Sequence, residues 1–136
     1  MDKIRVDNGT RRIEVNDSGE FIELPMADQM FTKRFFELLD IFQHKAKEIE
    51  SDSLHFEKLT EKEKLDYSIK VHTDFKEGTD KLFGEGTCKK VFGDILPAAD
   101  MYIDLFEQLT PFFEKYGRER SAKISKKYNV SRAGNV

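Results

Sequence analysis

The sequence contains one cysteine, three prolines and no tryptophan in 136 residues. No apolar run approaches the ~20 residues that cross a bilayer. Each shortage excludes something. With Cys88 alone, an internal disulfide framework is impossible, and zinc sites built on cysteine pairs are out of reach. A lone thiol fits a reducing compartment. The opening stretch, "MDKIRVDNGT", is charged where a secretion signal needs an apolar core. These features predict a soluble, cytoplasmic chain. A net charge of −3 gives the chain as a whole no pull toward nucleic acid or an anionic membrane.

Phenylalanine is abundant. There are 12 in a chain that is 38% hydrophobic and 36% charged. A single domain of this length buries roughly two thirds of its unfolded surface. Its core would therefore consist of helical layers sharing aromatic contacts.

The first 24 residues read as β structure. Ile4–Val6 and Arg11–Val15 alternate apolar and polar residues around Asn8-Gly9, a strong hairpin signal. A second turn, Asn16–Gly19, leads to "EFIEL", where Glu20, Ile22 and Leu24 do not sort onto one face. After Pro25 the period changes to about 3.6. Phe31, Phe35, Leu38, Leu39, Phe42, Ala46 and Ile49 form one stripe, with Asp28 as N-cap. Thr60 and Glu63 form a capping box. It opens a helix that uses Leu65, Ile69, Val71, Phe75, Leu82 and Phe83, with Gly78 marking a kink or a close crossing. Gly84 stops that helix. Thr87 would cap a short helix ended by Gly93. The last helix carries Met101, Leu105, Leu109, Phe112, Phe113 and Tyr116. Thr110-Pro111 is either a new start or a kink within it. The fold class expected is α+β and mainly α: a short N-terminal hairpin or meander followed by three to four helices. One domain is expected over 1–117, with strands in 1–24 and helices in 28–117. Residues 118–136 form a basic tail, partly helical and then unfolded from about Tyr128. That tail holds six basic residues against Glu119 alone, a formal +5. With the whole chain at −3, the remainder carries −8.

Chemical signatures are few. "GEGTCKK" (Gly84–Lys90) fails the P-loop pattern, because Lys89 stands where G-x-x-x-x-G-K needs its second glycine, and it fails the Rossmann pattern at the same residue. An anion at Lys89 and Lys90 competes with a plain connector between helices, and the connector is favoured. Cys88 as a nucleophile needs a positioned base, and His44, His55 and His72 lie far off in sequence. A half-buried structural thiol is the better reading. The histidine spacings match no zinc site and the acidic runs lack calcium-loop spacing. No catalytic residue, metal site or cofactor site is assigned, and the chain reads as a non-enzyme. Phe83, Phe92, Phe106, Phe112 and Phe113 exceed the need of one small core and are candidates for an exposed partner-binding patch. Lys123, Lys126 and Lys127 in the tail are further partner-binding candidates. They could contact nucleic-acid phosphates, with Tyr128 stacking, but the acidic body and the lack of a recognition motif favour a protein partner.

Two long stretches carry a resemblance. "IRVDNGTRRIEVNDSGEFIEL" followed by "FTKRFFELLD", and "LFGEGTCKKVFGDILPAADMYIDLFEQLTPFFEKYG" with a basic end, resemble small proteins of long-tailed bacteriophages and prophages of Gram-positive bacteria. The most distinctive part runs from Phe-Gly-x-Gly-Thr-Cys to Phe-Gly-Asp. The pattern is similar to tail assembly chaperones, made between the tail-tube and tape-measure proteins. The resemblance implies a non-enzymatic homo-oligomer in the host cytoplasm. It would bind the tape-measure protein and keep it soluble until tail-tube subunits, a further partner, polymerise around it. No membrane or nucleic-acid partner is implied. The alternatives are a structural tail or head–tail connector subunit, and a small nucleic-acid-binding regulator that uses the basic tail.

Overall fold

The computed structural model describes residues 1–51 and 56–134, with side chains described through Tyr128. The fold is α+β and mainly helical. Among the described residues, a two-stranded antiparallel hairpin, β1 (Thr10–Glu14) and β2 (Phe21–Pro25), precedes four helices: α1 (Gln29–Ser51), α2 (Glu61–Phe83), α3 (Thr87–Phe92) and α4 (Ala99–Gly134). His55 lies outside the described residues. The chain divides into two compact units, Met1–Phe106 and Glu107–Val136. The boundary expected at Gly117 is not a helix end, because α4 runs through Pro111 and Gly117 as far as Gly134. Pro111 is therefore internal to one helix. Having no N–H, it removes one rung of the α4 ladder, the bond to the carbonyl of Glu107. The residues from Tyr128 onward that read as unfolded are helical to Gly134.

The hairpin forms at the second turn, not the first. Thr10 pairs with Pro25, Arg12 with Glu23 and Glu14 with Phe21. Asn16 closes the loop, its Oδ1 accepting from the amides of Ser18 and Glu20. Gly19 takes φ 79°, a conformation other residues resist. Asn8-Gly9 does not fold the chain back. Asp7 and Asn8 instead accept from the amides of Gly9 and Thr10 as local turns, and Ile4–Val6 is not a strand. The segment that resisted facial sorting is β2. Counted from Phe21, it alternates cleanly, with Ile22 and Leu24 buried and Phe21 and Glu23 outside.

The helices start and stop for local reasons. Asp28 Oδ1 accepts from the Met30 amide at α1. The Thr60–Glu63 box closes in both directions at α2. Gly84 ends α2 at φ 118°, ψ 150°, a region essentially confined to glycine. The cap of α3 differs from expectation. Gly86, at φ 82°, is the N-cap, and Thr87 lies inside the helix with its hydroxyl donating to the Gly84 carbonyl at 2.8 Å. A glycine has no side chain to cap with. Asp80 of α2 supplies the acceptor instead, taking the Cys88 amide at 2.8 Å.

The core of the first unit is aromatic. Phe42 stacks on Phe75 with centroids 4.2 Å apart, Phe35 stacks on Phe106 at 4.8 Å, and Phe106 meets Phe42 edge-on at 5.3 Å. Tyr102 is fully buried beside Phe42 and Phe75. Its hydroxyl donates to the His72 carbonyl at 3.4 Å, and burial pushes its pKa above the ordinary tyrosine value. Two residues assigned to the apolar face of α2, Leu65 and Ile69, are exposed at 60% and 45%.

Candidate functional site

The chemistry sought around Cys88 is absent from its geometry. The thiol is buried, with Sγ 3.7 Å from the Lys76 carbonyl. Its pKa is pushed up to about 12, first by burial and then by the neighbouring Asp80 carboxylate. A reactive cysteine needs the opposite shift. Lys89 and Lys90 are also engaged. Lys89 Nζ lies 3.7 Å from Asp94. Lys90 Nζ donates to the Phe21 carbonyl at 3.3 Å, and the Lys90 carbonyl accepts from Asn16 Nδ2 at 3.0 Å. These contacts dock the hairpin onto α3, so the glycine-rich stretch works as a connector. Among the described residues, no group of histidine, cysteine and acidic side chains is arranged to hold a metal ion.

The five phenylalanines singled out as a patch are not all surface residues. Phe106 is fully buried, a core residue rather than a contact surface. Phe83 is half-buried, packed edge-on against Phe31 at 5.9 Å and Phe35 at 6.2 Å, and 5.6 Å from Phe106. Phe92 is half-buried against Tyr102 at 5.2 Å. The reason is economy of apolar surface, since a chain with few large side chains draws its aromatics inward. Phe112 is exposed, and Phe113 is half-buried. Lys123, Lys126 and Lys127 are exposed on the second unit.

The open apolar surface of the first unit lies elsewhere, along the seam of α1 and α2. The helices run antiparallel: Leu38 sits by Gly78, Phe42 by Phe75 and Lys45 by Tyr67. Two clefts, of about 660 and 610 Å3, meet at Leu38 and Ile41 and form one groove. Part of its lining follows a regular spacing. On α1 these residues are Phe31, Arg34, Leu38, Ile41, Lys45 and Glu48, and on α2 they are Tyr67, Val71, Asp74, Gly78 and Lys81, with Glu37, Asp40, Phe42, His44, Lys70, Phe75 and Leu82 also lining the clefts. Both series alternate steps of three and four, the spacing by which helices present a continuous seam to a neighbour. From Phe31 to Glu48 the groove spans ~26 Å at 1.5 Å per residue.

Apolar side chains floor the groove and charges rim it. Ile41 is 57% exposed at its centre. Gly78 lets the two helices approach closely at mid-groove, since a Cβ there would stand 3.3 Å from Leu38 Cδ1. At one end the Lys45 ammonium lies over the Tyr67 ring, 5.5 Å from its centroid. Its pKa is held above the ordinary lysine value, chiefly by its hydrogen bond with Tyr67. Sequence reasoning missed this groove. Its residues repeat at the same three and four as the aromatic stripe beside it, so spacing alone does not set it apart.

Residues 18–135 match the model of a family of unknown function (DUF6673), and the chain belongs to that family. No curated protein and no solved structure matches. Among the described residues, no helix is long and apolar enough to cross a membrane.

Proposed function

We propose that this protein is a non-enzymatic assembly chaperone that holds a helical client in the α1–α2 groove. The observation that carries this reading is the groove itself: an open apolar floor, charged rims and three–four spacing on both walls. An amphipathic helix laid along it adds a third helix to the seam, with anchors at i, i+3, i+4 and i+7. The groove accommodates about 18 residues of client at 1.5 Å each. A long helical client offers many such sites, so several copies gain avidity without any one site being strong.

The client we propose is the tape-measure protein of a long-tailed bacteriophage, and the site of action is the host cytoplasm. Support for this comes from the resemblance of residues 4–24, 31–40 and 82–117 to phage tail assembly chaperones. Phe112, Phe113 and the basic stretch of α4 that carries Lys123, Lys126 and Lys127 would then serve the assembly as secondary contacts.

The test is co-expression with the tape-measure protein encoded beside this protein, scored as soluble client and as copies retained per client. The wild type is expected to hold the client in solution at several copies each, and Ile41→Asp is expected to lose it. An insoluble client, or capture indifferent to Ile41→Asp, overturns the reading. Recovery of this protein from purified particles would favour a structural tail subunit instead. Salt-sensitive DNA or RNA binding lost on deleting residues 118–136 would favour the regulator.

A further inference from the structure

Residues 3–7 carry a strand pattern that the chain itself does not use. Ile4 and Val6 alternate with Lys3, Arg5 and Asp7, and β-branched residues in that rhythm suit a pleated surface. Yet Ile4 is 89% exposed and Val6 83%. Just beyond them, among the described residues, β1 forms one edge of a two-stranded sheet with no strand on its outer side, and such an edge offers its backbone groups to another strand.

The register says which backbone groups that edge offers. The Val15 amide bonds the Glu20 carbonyl, and the Met26 amide bonds the Gly9 carbonyl. Odd-numbered residues of β1 therefore face β2, and the N–H and C=O groups of Arg12 and Glu14 turn to the outside.

The segment does not fold back on its own β1 for identifiable reasons. A tight turn at Asn8-Gly9 would set Arg5 directly opposite Arg12, and like charges in that position repel. The Thr10 amide that the first rung would use is already held by Asn8 Oδ1 at 3.1 Å. A strand from another molecule is free of that turn. One antiparallel register then satisfies both faces. Arg5 lies opposite Glu14 and Asp7 opposite Arg12 on the outer face, while Ile4 meets Val15 and Val6 meets Ile13 on the face shared with buried Ile22. The same register places Arg5 and Asp7 across from the outward-facing backbone groups of Glu14 and Arg12.

We propose that residues 3–7 of one copy add as an antiparallel third strand to the β1 edge of a second copy, with Arg5 paired to Glu14 and Val6 packed on Ile13. This is strand addition at an exposed edge, with main-chain bonds for affinity and the two charge pairs for register. It does not depend on the client groove, and it is measured on the protein alone.

Sedimentation velocity of the full chain over a concentration series tests it. Reversible self-association is expected, and deletion of residues 1–6 should abolish it with the circular dichroism spectrum unchanged. Arg5→Glu and Glu14→Arg should each weaken association on the order of tenfold, by replacing an attractive cross-strand pair with a repulsive one. The double variant Arg5→Glu/Glu14→Arg should return to near the wild-type value. A monomer at every concentration overturns the proposal. So does association that survives the deletion, or a double variant no tighter than either single.

Discussion

Cys88 makes the sharpest test of how the corner between α2 and α3 is built. Its pKa is pushed up to about 12 from an ordinary 9.0. At pH 8 an ordinary thiol of that kind is about one tenth ionised, whereas Cys88 is ionised in about one molecule in ten thousand. Thiolate attack on a disulfide reagent is thus slowed about a thousandfold by ionisation alone. Labelling can also proceed when the corner opens, where the thiol regains its ordinary pKa and the rate follows the opening equilibrium. Labelling of the native protein with a chromogenic disulfide at pH 8 should therefore run far slower than in denaturant. Asp80→Ala removes the acceptor of the buried Cys88 amide, a loss of about 1–3 kcal/mol. It also removes the carboxylate that helps keep the thiol protonated. Both effects speed labelling, the first alone by about 5- to 150-fold. One thiol per chain reacting at the free-thiol rate in native buffer would refute the burial. An Asp80→Ala rate equal to wild type would refute the cap.

Other consequences can be measured by standard means. The raised thiol pKa contributes stability that is fully present below pH 9 and is lost as pH rises toward 12, so the difference in unfolding free energy between wild type and Cys88→Ser should shrink by about 1.4 kcal/mol per pH unit above pH 9. Tyr102 is shifted in the same sense, first by burial, which is common to both proteins, and only secondarily by Cys88. Phe42→Ala removes a buried ring in contact with Phe75, Tyr102 and Phe106. It should cost about 3–5 kcal/mol and lower Tm by ~12 °C or more, whereas Leu65→Ala on the outer side of α2 should stay within about 0.5 kcal/mol. Gly86→Ala meets no atom within 4 Å, so its cost is backbone conformation alone, about 1–2 kcal/mol. Gly84→Ala, at φ 118°, ψ 150°, should cost more in the same denaturation series. Ile41→Asp should leave Tm unchanged while abolishing client capture, because Ile41 is already exposed.

The parts of this fold that were legible are those set by local chemistry. The α1 stripe appears because a helix buries every third or fourth residue, and Phe31, Phe35 and Phe42 are the buried ones. The Thr60–Glu63 box is complete within four residues and needs no tertiary information. The hairpin misled because Asn8-Gly9 and Asn16–Gly19 are both good turns, and the choice between them is not local. Ile22 and Leu24 can be buried only if β2 is a strand, and it pairs through the second turn. The cap of α3 was illegible for the same reason. Its acceptor, Asp80, sits on a different helix, and nothing in "GEGTC" announces it.

The groove failed to show for a subtler reason, which also bears on what it does. A helical stripe was read as one face, but α1 presents two. Phe35 and Phe42 point into the aromatic core, while Leu38 and Ile41, on an adjoining stripe, line the seam with α2. Periodicity cannot separate two adjoining stripes on one helix, since both repeat at three and four. Exposure can. A core stripe goes dark along its length, whereas this one stays half open, with Ile41 uncovered. The charged rim supports the same reading. Lys45, Glu48, Asp74 and Lys81 line a surface that stays in water when empty yet borders an apolar floor. Such a border favours a helix that is itself amphipathic over a plain apolar segment. It also sets a test of client choice. A peptide with apolar residues at i, i+3, i+4 and i+7 should bind, and the same composition in scrambled order should not. Equal binding of the two would mean that the groove recognises greasiness rather than a helix.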